Sequence, residues 1–96
     1  MLEVTVQTQE DVNRFLEEDK EQFFDAILVA ITEGWKNNED IVRVAEFHIL
    51  EDMHIMSIDM DRADWLESLT LALDFYEEIE DYEKCIDVKT LIEEMS

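Results

Sequence analysis

The stretch EFHILEDMH holds both histidines of the chain, and in it Glu51 and His54 stand three residues apart. On a helix that spacing sets a carboxylate and an imidazole on one face, the pairing used by di-metal helical bundles. Asp52 follows His48 by four residues, another same-face helical spacing. A di-metal bundle needs two Glu-x-x-His pairs and two further carboxylates on facing helices, and this chain has one pair; a homodimer would supply the second. The aspartates of DMDRAD, residues 59–64, alternate as in a calcium loop. An EF-hand started at Asp59 requires glycine at its sixth position and glutamate at its twelfth, where the chain has Asp64 and Thr70. Helix capping is the simpler use of these carboxylates. Cys85, the one cysteine, is flanked by Glu83 and Asp87, which disfavour a thiolate, so it reads as a core residue rather than a nucleophile. There is no Ser–His–Asp grouping, glycine-rich loop or cysteine pair for zinc. No catalytic residue, cofactor or metal site is assigned, and an enzyme is not expected.

Acid is the dominant signal. The 96 residues carry 27 acidic and 7 basic side chains, a formal net charge of −20. That charge repels nucleic-acid phosphates and anionic membrane surfaces, so neither is expected as a direct partner. It suits a basic protein, whose approach it would steer. Residues 63–83 contain eight acidic side chains and no basic one. Read as a helix, residues 62–79 place Asp64, Glu67, Asp74 and Glu78 within about 80° of arc, and Leu71 and Phe75 project into that acidic face. An apolar pair ringed by carboxylates has the make-up of an interface core with a polar rim. The plain alternatives are a solvated face, with Leu71 and Phe75 packing inside a bundle or dimer. A sharper alternative is a DNA mimic, in which the carboxylates stand in for phosphates at the site of a nucleic-acid-binding enzyme.

The elements that would carry these residues read as helices. The chain has no proline and one glycine, and its 47% hydrophobic content exceeds that of a disordered acidic chain. Residues 2–6, LEVTV, alternate apolar and polar, but no second strand is evident, so they are expected to be an extended arm. Thr8 and Asp11 suit a capping box. A helix is expected over about 9–35, with a break near EEDK, residues 17–20. Its apolar side chains Phe23, Phe24, Ile27, Leu28, Ile31 and Trp35 span about 140°, and Gly34 with KNN, residues 36–38, ends it. Asn38 would cap a helix over 39–56, apolar nearly all round from Ile41 to Met56 and therefore central. After a break at SIDMD, residues 57–61, comes the helix 62–79, with Trp65, Leu66, Leu69, Ala72, Leu73, Tyr76 and Ile79 inward. A hinge at Glu80–Asp81 leads to a closing helix over 82–95 with Tyr82, Cys85, Ile86, Val88, Leu91, Ile92 and Met95 inward.

The hairpin ALDFYEEIEDYEKCIDVKTLIEEM, residues 72–95, resembles the helical-hairpin motif of the excision-repair UVR family in its DYEKC run at Asp81–Cys85 and its closing LIEEM. In that family the hairpin is a protein-docking element, so the resemblance implies docking rather than catalysis. The bulky Ile86 and Val88 in IDVKTLI depart from the small residues and LRD-like run the family commonly has there. In composition the chain also resembles the small acidic proteins of bacteriophages that bind host factors.

The expected molecule is thus a single all-α domain over residues 1–96, a compact bundle of four to five helices with a short extended N-terminal arm. With one cysteine, no basic segment after Met1, and no apolar run longer than AILVAI at 26–31, it is expected to be cytoplasmic. The expected function is that of a non-enzymatic acidic regulator or inhibitor docking on a basic protein surface through Asp64, Glu67, Leu71, Asp74, Phe75 and Glu78. The alternatives are the DNA mimic and a self-assembling helical subunit that would bind metal through Glu51 and His54 in an oligomer.

Overall fold

The computed structural model describes residues 1–96, and it corrects the all-α expectation. In chain order the elements are strand β1 (Leu2–Val6), helices α1 (Gln9–Glu18) and α2 (Lys20–Lys36), strands β2 (Ile41–Ile49) and β3 (His54–Asp61), a 3-10 turn (Arg62–Asp64), and helices α3 (Trp65–Glu78) and α4 (Tyr82–Met95). The strands form one sheet in the order β1-β2-β3, with β1 parallel and β3 antiparallel to β2. The fold is α+β rather than a helical bundle.

The segment read as a central helix over 39–56 is two strands and the turn between them. Its run IVRVAEFHI is rich in β-branched and aromatic residues, which fit a pleated surface better than a helix. Its period-2 alternation is hidden by a bulge. The register slips between Arg43 and Ala45, so Val44 is an extra residue. Val42 points inward before the slip and Ala45, Phe47 and Ile49 after it, with Val44 also buried. Apolar residues on both phases imitate a helix that is apolar all round. The chain reverses at Leu50–Met53, where Met53 takes a left-handed φ of 51°.

The N-terminal arm is a paired strand. Leu2, Val4 and Val6 lie in register with Ala45, Phe47 and Ile49, and across β2 the partners of Val42, Ala45 and Phe47 are Met60, Ile58 and Met56. These side chains make the inner face of the sheet, on which the helices pack. The outer face is open to solvent.

Helix α1 starts with the expected capping box: the Asp11 N–H donates to Thr8 Oγ1 at 3.4 Å and the Thr8 N–H donates to Asp11 Oδ2 at 3.1 Å. The break from α2 falls at Asp19, whose φ/ψ of −109°/45° leaves the helical region. Helix α2 buries Ile27, Ala30, Ile31 and Gly34 against the sheet and α3. Gly34 does not end the helix. It allows a close approach, since a Cβ there would collide with Val42 Cγ1 and come within 3.0 Å of the Trp65 ring. Asn38, expected as a cap, instead takes a left-handed φ of 55° in the link to β2.

Helices α3 and α4 form a hairpin. Glu80 turns the chain with a φ of 60°, and the Asp81 carboxylate caps α4 by accepting from the Lys84 N–H at 3.3 Å. The core side of the hairpin is Trp65, Leu69, Ala72, Tyr76, Cys85, Val88 and Leu91. Leu66, Ile79, Tyr82 and Ile86 were expected inward and are exposed, because this thin molecule, 43 × 30 × 16 Å, has no further element to cover them. No helix is long and apolar enough to cross a membrane.

Candidate functional site

Helix α3 carries five of the six residues of the acidic–apolar face, and Asp64 immediately precedes it at the N-cap position. Glu67, Leu71, Asp74 and Glu78 follow one another at helical spacings of four, three and four, and with Asp64 and Phe75 they occupy about 100° of arc. The opposite side of the helix is buried through Trp65, Leu69, Ala72 and Tyr76. That buried stripe orients the helix and forces the acidic stripe outward.

Asp64, Glu67, Asp74 and Glu78 are exposed, and none is ion-paired. Asp64 precedes the helix without a capping hydrogen bond from its side chain. The cations that do pair are committed elsewhere: Arg14 to Asp11, Arg43 to Glu46 and Asp59, and Lys84 to Asp25 and Asp81. The charge of this face is therefore not neutralised within the chain. Glu77 and Glu80 are also exposed, whereas Asp81 is partly buried and occupied by its cap and by Lys84.

The two apolar residues differ. Leu71 is 55% exposed and sits amid the carboxylates. Phe75 is half-buried and stacks on Phe24 of α2, with ring centroids 4.9 Å apart and planes 24° apart. It anchors α3 to α2 and presents only one side outward. The free apolar surface of the face is chiefly Leu71.

The suggested metal pairs do not form. Glu51 lies in the β2–β3 turn and His54 begins β3, so the helix that would have aligned them is absent. Asp52 lies in the same turn and His48 on β2. Asp59 and Asp61 end β3, and Asp59 is bound by Arg43 at 2.8 Å, which holds its carboxyl below the usual range. Cys85 is buried, as a core residue should be.

A second cluster escaped the helical reading: Glu3, Glu46 and His48 converge on the outer face of the sheet. The signal was present as Glu46-x-His48, a same-face spacing on a strand but not on a helix. Glu3 joins them only through the parallel pairing of β1 with β2.

The chain matches no protein-family model, no curated protein and no solved structure.

Proposed function

We propose that this protein is a non-enzymatic acidic regulator that docks on a basic surface of another protein through the outward face of α3. The observation that carries this reading is Leu71, more than half exposed between Glu67, Asp74 and Glu78, none of which has a cation within the chain. Unpaired carboxylates accelerate encounter with a positive surface, and burial of the leucine slows release. At about 25 cal/mol per Å², one leucine contributes only a few kcal/mol, so charge complementarity must supply much of the specificity. Occlusion of the partner's basic surface is the mechanism. The single buried cysteine favours a cytoplasmic setting.

The test is affinity capture from lysate with the tagged wild type and two surface variants, Leu71→Ala and the doubly reversed Glu67→Lys/Asp74→Lys. A partner retained by the wild type, lost by the charge-reversed protein and weakened by Leu71→Ala supports the reading. Equal retention by all three removes α3 as the docking face. Release by added duplex DNA, together with loss at high salt, assigns the chain to phosphate mimicry instead.

A further inference from the structure

The helices cover one face of the sheet, and the opposite face holds a cluster unconnected with α3. Strand pairing sets Glu3 of β1 opposite Glu46 of β2, while His48, two residues beyond Glu46, projects to the same side. Metal-capable atoms of Glu3, Glu46 and His48 all lie within 4.8 Å of one another. Glu46 Oε2 is 3.8 Å from His48 Nε2.

This arrangement is electrostatically unfavourable as it stands. Like charges directly opposite across two strands destabilise a sheet, and this pair belongs to a chain of net charge −20. Glu3 has no ion-pair partner. Arg43 relieves only one side of the pair: its Nη1 lies 3.1 Å from Glu46 Oε1, leaving Oε2 toward His48. Asp59, bound to Arg43 at 2.8 Å, balances the charge of that arginine. The cluster therefore keeps two carboxylates and an imidazole nitrogen around a common point with no positive charge of its own.

We propose that Glu3, Glu46 and His48 bind a divalent transition-metal cation of the zinc type on the open face of the sheet. Metal–ligand bonds of about 2.0–2.2 Å set neighbouring ligand atoms of a tetrahedral site about 3.4 Å apart. The Glu46–His48 separation is already near that value, and Glu3 is exposed and free to turn inward. The imidazole favours zinc-like cations over magnesium or calcium, which take oxygen ligands. Arg43 orients Glu46 from behind, as the outer partners of metal ligands do. Three protein ligands leave a fourth position to water or to a donor from another molecule.

The test is calorimetric titration of the full chain with zinc, in moderate salt and excess magnesium to occupy the diffuse acidic surface. One zinc per chain is expected, weakened at least about tenfold by His48→Ala and by Glu3→Gln and unchanged by His54→Ala. Both ligand substitutions lie on the solvent side of the sheet, and circular dichroism checks that the fold is retained. In NMR spectra the His48 imidazole resonances should shift on zinc addition while those of His54 stay in place. Absence of saturable binding, or binding indifferent to both His48→Ala and Glu3→Gln, overturns the assignment.

Discussion

The Tyr76 hydroxyl of α3 donates a 2.6 Å hydrogen bond to Asp25 Oδ1 of α2, and the Lys84 ammonium of α4 reaches the same oxygen at 2.7 Å. Three helices thus meet at one carboxylate oxygen, with Lys84 also 5.5 Å from the centroid of the Tyr76 ring. Burial, then the bond to Asp25, pushes the phenol far above its ordinary pKa of 10.0. The bond to Asp25 raises that of Lys84 above 10.5.

Both groups bind their protons more tightly in the folded chain. Their stabilising contributions are complete below the unfolded values, about 10 for tyrosine and 10.4 for lysine, and are lost as pH rises through the folded values. Tyr76→Phe should cost about 1 kcal/mol at neutral pH. The gap from wild type should narrow above about pH 10, because only the wild type carries the phenol. Urea denaturation of both proteins across neutral and alkaline pH measures this, and a gap constant through the alkaline range counts against the linkage.

Gly34→Ala should destabilise the protein despite alanine's better helix propensity. Alanine gains up to about 1 kcal/mol in a helix interior, whereas overpacking costs about 1–3 kcal/mol. The new methyl meets Val42, stiff at χ1, and the fully buried Trp65, so neither neighbour yields cheaply. A net loss of about 1–2 kcal/mol is expected from these opposing terms, seen as a lower thermal midpoint. An unchanged or higher midpoint would mean that β2 can move away from α2.

Arg62 lies against two tryptophans, its guanidinium carbon 5.0 Å from the Trp35 ring centroid and 5.4 Å from that of Trp65. It also donates to Asn38 Oδ1 at 3.1 Å and to the Glu39 carbonyl at 3.2 Å, tying the turn before α3 to the end of α2. Arg62→Ala should cost about 1–2 kcal/mol. Arg62→Lys should recover little of it, because an ammonium cannot stack and fork in the same way. Tryptophan emission followed through denaturation reads both stability and the loss of the contact.

Leu71→Ala and Phe75→Ala should separate docking from folding. Leu71 is mostly exposed, so its truncation should change stability by no more than about 0.5 kcal/mol. Phe75 is half-buried on Phe24 and should cost about 1–3 kcal/mol, below the loss for a fully buried phenylalanine. Partner loss in Phe75→Ala is therefore interpretable only beside its stability, while loss in Leu71→Ala reports the interface directly. Equal destabilisation by both would show that Leu71 is buried in solution.

Salt should stabilise the protein. At about 0.01 M the Debye length is about 30 Å, comparable to the molecule's 43 Å length, and at about 1 M it is about 3 Å. Screening then removes repulsion among charges that sum to −20. The thermal midpoint should rise over that range in sodium chloride. A flat profile would mean that the acidic groups are spaced widely enough not to oppose folding.

The residues themselves announced several features that depend on neighbours along the chain. Thr8 and Asp11 marked a capping box, EEDK marked the break before α2, and Glu80–Asp81 marked the hinge between the last two helices. The stripe Glu67, Leu71, Asp74 and Glu78 was legible for the same reason: its spacing and the helix that bears it are both local. The sheet was not legible, because β1 depends on a partner distant in sequence and the local β2–β3 hairpin lacks a clean period-2 pattern in β2. LEVTV becomes a strand only beside residues 45–49, and the bulge at Val44 removed the alternation that would have betrayed β2. With the sheet went the Glu3–Glu46–His48 cluster, whose members are assembled by a parallel pairing across two intervening helices. The exposure of Leu71 and the partial burial of Phe75 likewise awaited tertiary packing. Helical periodicity places both near one face, but only the approach of Phe24 from α2 covers one and leaves the other in water.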